Sequence, residues 1–395
     1  MPVSVTTSGK NILFVSPAKT VALGAEQVPI QRLRANVSLP ALTILGAIEN
    51  AGLEVGFIDA AAEGISELEM IDDISLAYGL SATKIAAAVS ERNPHLVLVS
   101  SMFTFEQPAV DMLVKELKHS LPGATVILGG VHASLKPEWH FEGAEPDYIV
   151  MGEGEETIVE LLKELASANP NPRRVQGIAF RRSDGRIERT PSRKRLEQLD
   201  RPWALDKVLL KEDGALRYTD QMCRKHPVYV SNSLGEDVGT FSLYGSRGCR
   251  YQCDYCPTTA RDGANVRHMS AEFMFAQFLT VRKEYDVRVF ANQADNFGVQ
   301  PEGKEFLTKV REYRKASGDA DFVMNNPNAF FLHQFFSPES GYRFDAEFLD
   351  LLAGAGFNTV TVAVETLAQR FNRKINWSQF RPENILGLCD EIRRR

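Results

Sequence analysis

The sequence predicts an α/β protein in two parts, a doubly wound domain followed by a partial (β/α) barrel. Three observations carry that reading. Short apolar runs alternate with helical patterns through the first half. Glycine-bearing turns close several of those runs. The alternation then fades near residue 200 and resumes after residue 240.

In the first half, NILFVSP (11–17) reads as a buried strand. LPALTILGAIENAG (39–52) has helical apolar spacing and a terminal glycine. LEVGFIDA (53–60) is a strand, 81–92 a helix and HLVLVSS (95–101) a strand. PAVDMLVKELKHSLPG (108–123) is a helix and ATVILGG (124–130) a further strand. PDYIVMGEGEETIVELLKELA (146–166) is a strand, a tight turn and a helix. Such a sheet binds ligands beyond the carboxyl ends of its strands. The informative residues there are Gly129 and Gly130, ahead of Val131-His132-Ala133-Ser134, and Gly152-Glu153-Gly154-Glu155. Paired glycines let a ligand approach the backbone closely, and generic tight turns explain each pair as well. GGVHAS lacks the full dinucleotide fingerprint, which argues against a nicotinamide site.

Composition narrows the function classes. The chain is 44% hydrophobic and 24% charged, enough apolar residue for sizeable cores. A net charge of −6 gives no bulk electrostatic reason to bind nucleic acid. The basic run at 181–195 reads as a solvated hairpin and linker. The polar start MPVSVTTSGK lacks a secretory pattern and no apolar run suits a membrane span, so a cytoplasmic protein is expected.

Of five cysteines, three fall within eight residues. Such clustering suggests metal or redox chemistry more than disulfides. The segment TFSLYGSRGCRYQCDYCPTTARDG (240–263) places Cys249, Cys253 and Cys256 after a strand pattern. Thiolates are the usual ligands of iron–sulfur clusters, and three of them leave one iron of a cubane open. That open iron can chelate the amino and carboxylate groups of a small molecule. Zinc held by the three thiolates and His268 is the competing reading.

Two resemblances follow from these motifs. The order GGVHAS, PDYIVMGEGEETIVELL and the hairpin VQGIAFRRSDGRIERTP, over roughly 10–200, resembles the Rossmann-like cobalamin-binding domain found ahead of many radical SAM enzymes. It implies contacts to cobalamin from Ser100, Ser101, Gly129, Gly130, His132, Gly152 and Gly154. The wider family's Asp-x-His-x-x-Gly is altered here. Asp59 and Gly64 hold the motif's positions, but Ala61 stands where the cobalt-ligating His would be.

Cys249-x-x-x-Cys253-x-x-Cys256, with Tyr255 before the last cysteine, resembles the radical SAM signature. It implies a 4Fe–4S cluster, S-adenosylmethionine as co-substrate and a 5′-deoxyadenosyl radical. Downstream, 270–285, 303–316, 344–357 and 381–395 read as helices. VRVFANQADNF, DFVMNNPNAFF and NTVTVAVET read as strands. The resemblance points to Asp295 and Asn296 after the second strand and Glu365 after the fourth as neighbours of S-adenosylmethionine. Asn325 and Asn326 end the third strand.

The expected domains are 1–195, a linker at 196–240 and a radical SAM core at 241–395. That core holds four βα units where family barrels have six strands, so a shortened barrel is expected. The implied activity is C-methylation of a small-molecule substrate, with electrons from a reductant protein such as flavodoxin or ferredoxin. A non-methylating radical cyclisation or rearrangement, or a catalytically inert binding protein, are the alternatives.

Overall fold

The protein is described from a computed structural model. It covers residues 11–22, 35–219, 238–251, 253, 256–295, 297–298, 300–337, 343–364 and 382–395. The chain divides into two compact units. One comprises Met1–Glu197 with Arg201–Tyr218, the other Gln198–Asp200 with Thr219–Arg395. Arg201–Tyr218 therefore packs with the first unit, although the sequence reads it as linker.

The first unit begins with β1 (Ile12–Ser16), β2 (Lys19–Ala22), α1 (Leu39–Asn50), β3 (Val55–Asp59) and α2 (Ala60–Glu63). It continues with β4 (Leu68–Asp72), β5 (Ser75–Tyr78), α3 (Ala82–Arg92), β6 (Leu96–Ser100) and α4 (Gln107–Ser120). Then come β7 (Thr125–Gly129), α5 (Val131–Leu135), α6 (Pro137–Gly143), β8 (Tyr148–Val150) and α7 (Gly154–Leu165). The hairpin β9 (Ile178–Arg181) and β10 (Ile187–Arg189), then α8 (Leu205–Leu209), complete it.

The main sheet has the order β10-β9-β8-β7-β6-β1-β3. Five strands, β8 through β3, run parallel, and the hairpin adds two antiparallel ones at one edge. Every residue of β1 and β6 is buried. Helices on both faces explain why these strands read as unbroken apolar runs. One core of the unit joins Val97 and Val99 to Ile85, Val89, Val110 and Leu113 of α3 and α4. Each such side chain contributes roughly 1.5–3 kcal/mol on burial.

Ser38 and Ser81 cap α1 and α3 by accepting from backbone amides of their first turns. The chain leaves β1 toward β3 on one side and returns to β6 on the other. That reversal places a crevice at the carboxyl ends of β1 and β6.

A second sheet of three antiparallel strands, β2-β5-β4, has no counterpart in the sequence reading. Its edge strand LEMID carries acids among its apolar residues, which blurs the alternation that would mark it.

The second unit opens with β11 (Gly239–Leu243), β12 (Ser246–Arg247), α9 (Thr258–Asp262), β13 (Arg267–His268) and α10 (Ala271–Glu284). It goes on through β14 (Val287–Asn292), α11 (Pro301–Ser317), β15 (Val323–Asn325), β16 (Phe330–Phe331) and β17 (Phe336–Ser337). It closes with β18 (Arg343–Phe344), α12 (Ala346–Ala355), β19 (Val362–Ala363) and α13 (Pro382–Arg394).

Strands β11, β14 and β15 are parallel neighbours. One face is aromatic: Phe241 and Phe290 meet Phe278 of α10 and Phe322. The expected strand over 321–331 is two pieces. Pro327 follows Asn326 and cannot donate to a ladder, and Ala329 takes a φ of 65°. Consequently β19 pairs with β16 beyond the break, in parallel register.

Gly130 has a φ of 116°, and a Cβ there would lie 2.4 Å from the Ser101 carbonyl oxygen. Replacing it with alanine is expected to cost about 1–3 kcal/mol. Urea unfolding of the two proteins checks this.

Candidate functional site

In the first unit the strand-end residues meet through side chains the sequence did not single out. The Ser101 amide donates to the Gly129 carbonyl at 2.7 Å, and its own carbonyl accepts from the His132 amide at 3.2 Å. Ser134 bridges the next two turns. Its hydroxyl donates to the Gly130 carbonyl at 2.7 Å and accepts from the Gly152 amide at 2.9 Å. The loops after β6, β7 and β8 are thus joined in one row.

Beneath them lies a buried polar network. His140 Nε2 is 3.0 Å from Ser101 Oγ, and its Nδ1 is 2.6 Å from Asp111 Oδ1. Gln107 Nε2 donates to Asp111 Oδ2 at 3.1 Å. Gln107 Oε1 is 3.2 Å from His132 Nε2, and His132 Nδ1 is 3.1 Å from Thr104 Oγ1. Burial, helped by the charge of His140, depresses the His132 pKa below its ordinary 6.5. The ring is therefore neutral at neutral pH, with Nε2–H donating to Gln107 and Nδ1 accepting from Thr104.

The predicted glycines divide by environment. A Cβ at Gly152 would meet nothing within 4 Å, and one at Gly129 only Val150 at 3.8 Å and beyond. These two turns leave backbone open to a ligand. Gly154 is different: a Cβ there would lie 2.9 Å from Ile44 of α1. Its visible role is close packing of α7 on α1. Ser100 is buried at the end of β6, level with Gly129.

The segment after β3 forms α2. Asp59 caps it, accepting from the Ala62 amide at 3.1 Å and from the Tyr218 hydroxyl at 2.5 Å. Burial raises the Asp59 pKa. Ala61 is 1% exposed, and Gly79 backs directly onto Ala60 and Ala61. The position of the wider family's histidine is therefore packed solid.

In the second unit the cysteine loop is pinned at several points. Gly248, with a φ of 101°, passes so close to Asn265 that a Cβ would lie 2.5 Å from its carbonyl oxygen. The Cys249 amide donates to the Gly263 carbonyl and the Cys256 amide to the Cys253 carbonyl, each at 3.1 Å. Thr259 Oγ1 lies 3.1 Å from the Cys249 carbonyl and 2.8 Å from that of Tyr251. Tyr251 packs on Phe331 and His333, with ring centroids 4.9 and 6.3 Å away.

Cys249 is buried, Cys253 half-buried and Cys256 exposed. Among the described residues no three His, Cys, Asp or Glu side chains converge as a single metal ion requires. His268 sits in β13 opposite Ser246 and completes no zinc set. Three thiols on one short, pinned loop fit a bridging cubane better than a lone zinc.

Asp295 lies beyond the end of β14 and pairs with Arg261 of α9 at 2.9 Å. Burial raises its pKa, and Arg261 works against that rise. Arg261 also holds Asp262, so one guanidinium ties the cysteine loop's helix to the second strand's end. Tyr255, Asn296 and Glu365 lie outside the described residues.

Comparison with known proteins decides the class. The B12 binding domain family matches residues 37–162, and the Radical SAM superfamily matches 243–395. Residues 243–395 thus match a radical SAM domain, with a B12 binding domain ahead of it at 37–162.

Cytidylyl-2-hydroxyethylphosphonate methyltransferase of Streptomyces wedmorensis is 28% identical over 352 residues, covering 84% of this chain and 62% of that protein. An anaerobic magnesium-protoporphyrin IX monomethyl ester cyclase of Synechocystis is 27% identical over 299 residues, 72% of this chain and 49% of the cyclase. Among solved structures, the radical S-adenosylmethionine methyltransferase TsrM of Kitasatospora setae superposes with a TM-score of 0.66 at 18% identity. The match covers 98% of this chain and 66% of TsrM. The cobalamin-dependent enzyme OxsB gives a TM-score of 0.64 at 18% identity, covering 97% of this chain and 47% of OxsB. These structures share the fold. The chain spans between about half and two thirds of the length of these four relatives.

Two outcomes follow. Because the His132 pKa lies below 6.5, its contribution is present above that pH and is lost as pH falls through the depressed value. Thermal unfolding from pH 8 to 5 should fall more steeply for the wild type than for His132→Gln. In the cysteine loop, Thr259→Val removes the hydroxyl that holds two carbonyls. Iron retention against a chelator should drop about 10- to 100-fold, as for other supporting partners of metal ligands.

Proposed function

We propose that this chain is a cobalamin-dependent radical SAM enzyme that methylates an unactivated carbon of a small molecule. The observation that carries the reading is one chain holding both a pinned three-thiol loop and open glycine turns at a doubly wound sheet's strand ends. Each donor set fits its group. Cys249, Cys253 and Cys256 would hold a 4Fe–4S cluster, and the backbone at Gly129, Gly130 and Gly152 would border the corrin or its nucleotide tail. When bound, the cluster supplies the electron that cleaves S-adenosylmethionine, and cobalamin supplies a carrier for the methyl group.

The chain's own residues set the conditions. Thr259 and the hydrogen bonds of the Cys249 and Cys256 amides restrain the loop. Arg261 keeps the Asp295 carboxylate beside the cysteine loop's helix, where it can orient a cationic amino group. Glu365 and Asn296 are proposed as further neighbours of S-adenosylmethionine. With Ala61 packed inside α2, that position offers cobalt no protein ligand. Ser100, Ser101 and His132 would support the corrinoid face, and Gly154 would act mainly through helix packing.

Among the described residues no helix is long and apolar enough to cross a membrane. A cytoplasmic setting, with flavodoxin or ferredoxin as reductant, belongs to the same proposal. So do domain limits at 1–195 and 241–395. The cyclase relatives favour a non-methylating radical reaction as the second reading.

The test is anaerobic reconstitution with iron, sulfide and hydroxocobalamin, followed by dithionite and S-adenosylmethionine. 5′-Deoxyadenosine should form, and Cys253→Ala should lose both this activity and the brown colour of the cluster. Transfer of a labelled methyl group to cytidylyl-2-hydroxyethylphosphonate, or to another small-molecule acceptor, supports methylation. An iron-loaded wild type that releases no 5′-deoxyadenosine would falsify the enzymatic reading.

A further inference from the structure

The turn that follows β16 sorts its side chains by depth. Phe330, Leu332 and Phe335 are buried. Phe330 packs on Phe335 and on Phe348 of α12, with ring centroids 5.7 and 5.9 Å away. Between these anchors Phe331 is half-buried and His333 exposed. Gln334 stiffens the turn. Its Oε1 accepts from the Phe331 amide at 2.8 Å, and its Nε2 donates to the Phe297 carbonyl at 3.0 Å. Two planar rings are thus held out of the core by neighbours fixed within it.

Those rings are ordered against the cysteine loop. Phe331 and His333 stack with centroids 5.6 Å apart and planes 18° from parallel. Tyr251 tilts against both, at 55° and 60°. The Arg250 guanidinium lies over the Tyr251 ring, 5.5 Å from its centroid. A cation, one ring and a stacked pair follow one another along a single patch beside Cys249.

The cation is available. Arg261 is paired with Asp262 and Asp295, and Arg247 is buried. Arg250 is exposed, and among the described residues no carboxylate pairs with it. Burial lowers the His333 pKa, and the charge of Arg250 lowers it further. His333 is therefore a neutral ring at neutral pH and adds no second charge. A guanidinium over a ring still presents its N–H edge, which matches carboxylate and phosphate oxygens. Partly exposed aromatic faces stack on planar rings.

We propose that Arg250, Tyr251, Phe331 and His333 receive the methyl acceptor, a small molecule that joins a planar ring to a carboxylate or phosphate. This deepens the proposed function and rests on reading the cysteine loop as the cluster site. S-adenosylmethionine suits the patch less well. Arg250 repels its sulfonium, and in that reading the open iron engages its carboxylate. A ring held against Tyr251 also stays beside the loop where the radical forms.

The full chain, reconstituted with its cluster and S-adenosylmethionine, is titrated calorimetrically. Cytidine monophosphate and indole-3-acetate each join a ring to an anion. Cytidine and indole supply the rings alone, and inorganic phosphate and acetate the anions alone. The wild type should bind one joined probe at least about tenfold more tightly than either of its parts. Which probe does so tells a nucleotide from an aromatic acid. Arg250→Gln should lose about tenfold for that probe, together with the salt dependence of its binding, while the bare ring binds as before. Phe331→Leu should weaken the joined probe and the bare ring alike, and leave the bare anion unaffected. Proteins are compared at equal iron content, so that a lost cluster is not read as a lost site. A wild type that binds neither joined probe, or variants that bind like it, overturns the proposal. A wild-type cluster whose electron paramagnetic resonance spectrum ignores S-adenosylmethionine overturns the reading of the loop as well.

Discussion

The second unit depends on how a short loop that carries three thiols is held in place. Its solution is backbone restraint. Gly248 slips past Asn265 where a side chain would collide, and Thr259 of α9 reaches back to two of the loop's carbonyls. Tyr251 then anchors the loop on the Phe331 and His333 rings. These contacts restrain the loop at Gly248, Cys249, Tyr251 and Cys256.

The first unit meets a different constraint. Its turns at Gly129 and Gly152 expose bare backbone. Support comes from below, through Ser134 and the chain of Ser101, His140, Asp111, Gln107 and His132. Each histidine nitrogen in that chain has a partner, which is why burying two imidazoles is tolerable.

Much of this was legible in the sequence, and the reason is periodicity. Strands such as ILFVS and LVLVS are buried on both faces, and helices α1, α3, α4 and α7 carry clear apolar spacing, so local pattern and tertiary role agree. The cysteine spacing was likewise local. What stayed hidden depends on contacts distant in sequence. His140 lies in α6, a helix too short to show a period, and its partners are 29 and 39 residues away. Gly154 reads as a ligand turn because the sequence cannot show Ile44 above it. The break at Pro327 was visible as a residue, but its effect, moving β19 onto β16, required the sheet.

Strand order bears on how the first unit is made. The first described strand, β1, lies in the interior of the main sheet, between β3 and β6. Ile12 pairs with Val55 on one side and Leu96 on the other. A nascent chain must therefore carry an apolar segment without its second neighbour until β6 has left the ribosome. Such long-range parallel pairing folds slowly and leaves sticky edges in the interim. The topology thus leaves β1, buried along its whole length, paired on one side only until β6 has been made.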